Sequence, residues 1–174
     1  MAEVLQRSEF NNQFLLIDDL RPEEMDVLNF LTPISSDYPE IERWYLDKVV
    51  PGVRAGTRLF VKIERHGQLV GLGIAKNENG EKKVCTLRVA PDYVGRGLGY
   101  RIMDDMLRWL DEDQPHVTVG AHKLAQFQRL FDHYGFDMTS QQNGLYVPGR
   151  TEIGYNGVQL IDLNGKPLVS TASV

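Results

Sequence analysis

Cysteine is almost absent from this chain of 174 residues. Cys85 stands alone, so no intramolecular disulfide is possible, and one thiol inside an apolar run suits a reducing compartment. Long hydrophobic runs are also missing. No stretch approaches the roughly 18 apolar residues of a membrane span. The first seven residues, Met1 to Arg7, lack the basic-then-apolar layout of a signal peptide. A cytoplasmic chain with no membrane partner is therefore expected. Positive charge is in deficit: 19 Lys and Arg face 24 Asp and Glu, a net charge of −5. That argues against generic affinity for nucleic acid, though it leaves room for a local basic patch. The four histidines, His66, His116, His122 and His133, never fall into a His-Glu-x-x-His spacing, and no metal site is predicted. A Gly-x-Ser-x-Gly nucleophile elbow is absent as well.

What the chain has is ordinary globular material, 42% hydrophobic and 25% charged, in a length that suits one domain. Its most informative stretch runs from Lys83 to Leu110. Lys83-Val84-Cys85-Thr86-Leu87-Arg88-Val89 reads as a strand closed by Ala90-Pro91. Leu98, Ile102, Met106 and Leu110 recur at helical spacing, with charged residues filling most other positions. Between them lies Gly95-Arg96-Gly97-Leu98-Gly99. Glycines here leave the backbone open to a ligand and permit positive φ. The helix start adds unpaired N–H groups and the positive end of a dipole, a site for phosphate or pyrophosphate. A tight turn with close packing is the plainer use of the same residues. Two phosphate loops fail on spacing: Gly99 is followed by Tyr100-Arg101 rather than Lys-Ser/Thr, and Tyr100 stands where the dinucleotide fingerprint needs its third glycine.

In chain order, Gln13 to Ile17 reads as a first strand and Pro22 opens a helix carrying Met25, Leu28 and Leu31. Asp37 and Glu40 could make a capping box for a second helix, which Pro51-Gly52 is expected to stop. Three strands follow, Leu59–Glu64, Leu69–Ala75 and Lys83–Val89; Gly71 and Gly73 mark close packing or a bulge. His116 to Gly120 is a short strand, and Leu124, Phe127, Phe131 and Tyr134 trace a helix ended by Gly135. Phe136–Ser140 and Leu145–Val147 suggest a last hairpin around Asn143-Gly144.

Val89-Ala90-Pro91, the loop Val94 to Gly99 and the later Gly135-Phe136 together resemble the GNAT superfamily of acyl-CoA-dependent N-acyltransferases. The family's loop reads Gln/Arg-x-x-Gly-x-Gly/Ala after a strand, and Val94 stands here in place of Gln/Arg. The resemblance implies an α/β fold (α+β in some schemes), a mixed, mostly antiparallel sheet of six to seven strands flanked by about four helices. It implies a domain over residues 1–150, leaving 151–174 as a C-terminal extension that could form an extra hairpin.

By the same resemblance, acetyl-CoA or another acyl-CoA is the co-substrate. It would lie between the strand ending at Val89 and the strand 116–120, which diverge. The backbone of Leu87, Arg88 and Val89 would hold the pantetheine arm. Val94, Gly95, Arg96, Gly97, Leu98, Gly99 and Tyr100 would hold the pyrophosphate. The acceptor would be an amine on a small molecule, protein or peptide, attacking the thioester directly. Ser35, Ser36, Asp37, Tyr38 and Glu40 border its expected pocket. The family's strand base falls at Lys83 and Cys85, so Cys85 becomes a catalytic candidate. The family's tyrosine acid falls at Phe131 and its CoA-contacting Asn at Leu124, which leaves Tyr134, on a similar helical face, as the substitute. Glu81 and His122 are further proton carriers to test. Dimers are common in the family, so a homodimer is compatible. The departures at Val94, Leu124 and Phe131 keep an alternative open, a CoA-binding sensor or interaction module without turnover. A third option is an enzyme that modifies RNA or protein.

Overall fold

A computed structural model of the chain describes residues 14–157. Six strands form one sheet: β1 (Arg58–Arg65), β2 (Gln68–Glu78), β3 (Glu81–Val89), β4 (His116–Gly120), β5 (Met138–Asn143) and β6 (Thr151–Tyr155), in the order β1-β2-β3-β4-β6-β5. Every neighbouring pair is antiparallel except β3 with β4. Parallel neighbours need a crossover, which helix α4 (Leu98–Leu110) supplies. The remaining helices are α1 (Pro22–Leu31), α2 (Ile41–Trp44), α3 (Val50–Ala55) and α5 (Leu124–Tyr134). A π-helical turn, Tyr45–Val49, joins α2 to α3, so the five segments make four helical bodies. This is the expected mixed six-stranded sheet with four helices.

Each face of the sheet buries its own core. On one side α4 presents Ile102, Met103, Met106 and Leu110, all at most 1% exposed, and α5 adds Leu130 and Phe131. The opposite face packs Val27, Leu28 and Leu31 of α1, with Tyr45, Val49 and Val50, against Leu72 and Ile74. At about 1.5–3 kcal/mol for each fully buried large side chain, these two faces supply the main drive for folding. Gly71 and Gly73 prove to be packing positions. A Cβ on Gly73 would lie 2.5 Å from Ile102 Cγ2 and 2.8 Å from Met106 Sδ, so α4 sits directly on the backbone of β2.

Four expectations are corrected. Phe14 to Leu16 carries no regular structure and Ile17–Asp19 is a 3-10 turn, not a strand. There the Asp19 carboxylate accepts the Leu16 N–H at 2.9 Å, a local bond that competes with strand pairing. Gln13 lies outside the described residues. Helix α2 has Glu40 at its N-cap and no side-chain cap, so Asp37 and Glu40 form no capping box. Pro51-Gly52 does not stop the rod. The π turn just before Pro51 accommodates its missing N–H, and the rod ends at Gly56, whose φ is +79°. The last hairpin pairs β5 with β6 rather than with Leu145–Val147. A longer loop intervenes, closed by the Gly144 N–H donating to the Arg150 carbonyl at 2.7 Å. Thr151–Tyr155, at the head of the expected C-terminal extension, thus lies between β4 and β5. The hairpin considered for residues 158–163 lies outside the described residues.

Candidate active site

The site begins where β3 and β4 part. They pair only at Lys83 with His116 and at Val84 with Val117. Beyond that point β3 continues to Val89 with β2 on one side and no strand on the other. Backbone N–H and C=O groups on that edge are left for a ligand or solvent. The gap opens into a cavity of about 560 Å³, reached by Val84 to Val89 from β3, Val117 to Val119 from β4 and Phe131 from α5.

At one end of the gap stands the glycine loop. Gly95 and Gly97 have φ of +79° and +75°, and a Cβ on either would meet nothing within 4 Å. Both glycines are therefore required by backbone conformation, and neither is used for packing. Gly97 is the N-cap of α4 and offers no side-chain cap, so the first N–H groups of the helix stay open. Val94, 67% exposed, lines the cavity. Arg96 lies with its guanidinium 5.2 Å from the Tyr93 ring centre. Tyr100 packs edge-on to His133 at 5.0 Å. The ten residues predicted from sequence to hold the donor are thus contiguous in space along the end of β3, the loop and the first turn of α4.

The catalytic candidates separate. Cys85 lines the cavity, with Sγ 3.7 Å from Arg58 Nη1. Burial pushes its thiol pKa up, against the pull of Lys83, Arg58 and Lys76, which is the wrong direction for a thiolate. Lys83 lines the cavity as well. Tyr134 is directed elsewhere: its hydroxyl donates to Asp104 Oδ1 at 2.6 Å and lies 3.1 Å from the Tyr100 carbonyl, and the residue does not line the cavity. Burial raises its pKa first, and the Asp104 bond adds to that. Phe131 is 2% exposed and Leu124 packs against the same core. Glu81 is held in an ion pair with Lys76 Nζ.

Asp37 does something the sequence did not suggest. Its carboxylate gathers three basic side chains from distant segments: Lys123 Nζ at 2.6 Å, Arg150 Nη1 at 2.6 Å and His122 Nε2 at 3.0 Å. Burial works to raise its pKa, but Lys123, His122 and Arg150 outweigh it and hold the group at about 2. The α1–α2 connection is thereby tied to the start of α5 and to the β5–β6 loop. Ser35, Ser36 and Glu40 are exposed, and Tyr38 enters the pocket.

The group sequence reasoning missed is Glu152 on β6. It is 7% exposed, and its Oε1 has no hydrogen-bond partner among the described residues. Burial pushes its pKa up to about 7, against weaker opposing effects from Lys83, Thr118 and Lys123. Thr118 on β4 is the polar neighbour of both Glu152 and Tyr146, and it moderates the rise in each pKa. Tyr146 meets Tyr38 edge to face at 5.5 Å. Glu152 lines a small side pocket with Tyr38 and Tyr146, and those two tyrosines with Thr118 also line the main cavity. The only trace of this in the sequence was a lone glutamate in an alternating run, Thr151 to Tyr155. Among the described residues no group of three or more His, Cys, Asp or Glu side chains could hold a metal ion, and no helix is long and apolar enough to cross a membrane.

Comparison with known proteins accords with this geometry. Residues 39–145 match the family model described as an acetyltransferase (GNAT) domain. A GNAT-family protein from Desulfovibrio desulfuricans superposes with a TM-score of 0.62 at 17% identity, covering 78% of this chain and 92% of that one. Aminoglycoside 6'-N-acetyltransferase complexed with coenzyme A gives 0.57 at 12% identity, with 81% and 93% covered. The ribosomal-protein-S18-alanine N-acetyltransferase from Escherichia coli gives 0.52 at 18% identity, with 63% and 74% covered. At these identities the superpositions speak to the fold. No curated protein matches the chain.

Proposed function

Because the chain belongs to the GNAT acetyltransferase family, which the match over residues 39–145 shows, we propose that it transfers an acetyl group from acetyl-CoA to an amine by direct attack on the thioester. The observation that carries this is the early parting of β3 and β4 beside an uncapped glycine loop. Coenzyme A fits the residues present. Gly95 and Gly97 leave open space over the backbone, and the free N–H groups of α4 suit a pyrophosphate. The unpaired edge of β3 at Leu87, Arg88 and Val89 suits an amide-containing arm. When bound, acetyl-CoA supplies an activated acyl group.

The remaining work falls to the chain's own side chains. An ammonium is not a nucleophile, so the acceptor must lose a proton near neutral pH. Glu152, with its pKa near 7, accepts that proton by way of Thr118 and Tyr146, which line the cavity where Glu152 itself does not. Free N–H groups on the β3 edge stabilise negative charge developing on the acyl oxygen. Cys85, held as a neutral thiol, forms no covalent intermediate.

Phe131 at the position of the family's acid favours a second reading, a domain that binds CoA without turnover. Calorimetry with acetyl-CoA on the wild type and on Gly97→Trp tests the donor site, and release of free CoA thiol with an amine panel tests transfer. Binding that is lost in a still-folded Gly97→Trp supports the site. A folded wild type that does not bind acetyl-CoA overturns it. Binding with no turnover on any amine leaves the second reading.

A further inference from the structure

We propose that the acceptor is an amine that also carries a carboxylate, and that Arg58 holds that carboxylate inside the cavity, with Arg88 as a second cation on the same wall; this rests on the acyltransferase reading above. Both arginines line the cavity. Both have a buried Nε with no hydrogen-bond partner among the described residues. A guanidinium stays charged at any working pH, and burying its donors without acceptors is costly. Two such groups in one cavity point to an anion that arrives with the substrate.

Arg58, 8% exposed, cannot retreat to solvent. Its stem fills the space over Gly52, where a Cβ would come within 2.6 Å of Arg58 Cδ. The partners it has are weak: Cys85 Sγ at 3.7 Å and the exposed Glu78 carboxylate at 3.7 Å, too long for a hydrogen bond. Arg88 lies with its guanidinium 5.0 Å from the Phe30 ring centre, a contact that orients the plane and supplies no acceptor. Burial lowers its pKa and no neighbouring charge offsets that.

The two arginines sit on the face of the sheet that carries α1, whereas Leu87 and Val89 turn into the core on the α4 side. The carboxylate site is therefore separate from the glycine loop. The remaining charges in the cavity are unequal. Lys76 is paired with Glu81 and Lys123 with Asp37, Lys83 adds a further cation, and Glu40 on the lining is exposed. An excess of fixed positive charge selects against polycationic acceptors and for an anionic one. The planar fork of arginine matches a carboxylate in two parallel hydrogen bonds.

The test compares free amino acids with their primary amides, which share everything but the carboxylate charge, and with an aminoglycoside and an aminoalkyl phosphate. Each is titrated calorimetrically with and without bound CoA and then assayed for turnover with acetyl-CoA. The free acids should bind and react at least about tenfold better than the amides. Arg58→Gln should raise KM for the free acid by about ten- to a hundredfold and leave KM for the amide unmoved, with partial recovery in Arg58→Lys. If circular dichroism shows Arg58→Gln unfolded, Arg88→Gln is read by the same acid-to-amide ratio. Equal use of acids and amides, preference for the aminoglycoside or the phosphate, or no carboxylate-dependent binding across the panel overturns the proposal. Failure of acetyl-CoA to bind the wild type overturns the acyltransferase reading instead, and the titrations without CoA still report on the arginines.

Discussion

The proposed donor and acceptor sides of the cavity are built by different means. The donor side is backbone: one continuous stretch, Leu87 to Tyr100, in which two glycines take positive φ and a helix leaves its first N–H groups free. The acceptor side is side chains, gathered from Tyr38, Arg58, Thr118, Tyr146 and Glu152 across five segments. A backbone site tolerates change in the residues between its glycines. A side-chain site depends on each residue and on the packing that brings them together.

That contrast can be broken from either side. Gly97→Trp has the largest expected effect. It forces a bulky residue into the left-handed region and into open space over the loop, so acetyl-CoA affinity should fall at least about a hundredfold by calorimetry, through loss of several charge-assisted hydrogen bonds. The positive φ should cost the fold about 1–3 kcal/mol, but nothing lies within 4 Å of the added Cβ to add a clash, and circular dichroism should show the variant still folded.

Glu152→Gln should spare acetyl-CoA affinity and lower kcat/KM by about a hundredfold or more, the usual range for a lost general base. The wild-type pH profile should fall below about pH 7 as Glu152 takes up its proton, and the variant should lose that limb. Stability should move the other way. The folded chain favours the neutral carboxyl, because the pKa rises from 4.5 to about 7. Its contribution is complete below about pH 4.5 and is lost as pH rises through 7. Denaturant titrations should therefore show Glu152→Gln matching wild type near pH 4.5 and exceeding it by roughly 2–3 kcal/mol above pH 7. A variant no more stable at pH 8 would mean that the carboxyl is not desolvated.

Asp37→Asn should cost about 2 kcal/mol at neutral pH by stranding Lys123, His122 and Arg150, and should raise KM for the acceptor more than for acetyl-CoA. The sign for the wild type is the ordinary acidic one. Asp37 is depressed to about 2, so its stabilisation is present above about pH 4 and lost as pH falls toward 2. Tyr134→Phe should have the smallest effect, about 1 kcal/mol from the bond to Asp104, with kcat unchanged. A tenfold fall in kcat at unaltered stability would instead restore Tyr134 as the acid for the leaving thiolate.

Legibility in the sequence follows the same division. β3, the glycine loop, α4 and the Gly135 cap were readable because each is a local pattern of strand alternation, glycine placement or helical period. The early errors were local conflicts that a neighbouring bond resolved, as with Asp19 against a first strand and the π turn ahead of Pro51. Tyr134 shared the helical period of the pocket-facing residues, but its hydroxyl was taken by Asp104 on another helix.

By itself the sequence determined the sheet-and-helix class and the glycine turn ahead of α4, because these depend on residues near one another in the chain, and its single cysteine ruled out a disulfide within the chain. Only the tertiary structure decided that Glu152 would be buried beside Thr118 and Tyr146, that Asp37 would gather Lys123, Arg150 and His122, and that Arg58 and Arg88 would share a cavity. Burial and charge pairing between residues tens of positions apart are set by how the sheet orders its strands, and no local spacing records that order.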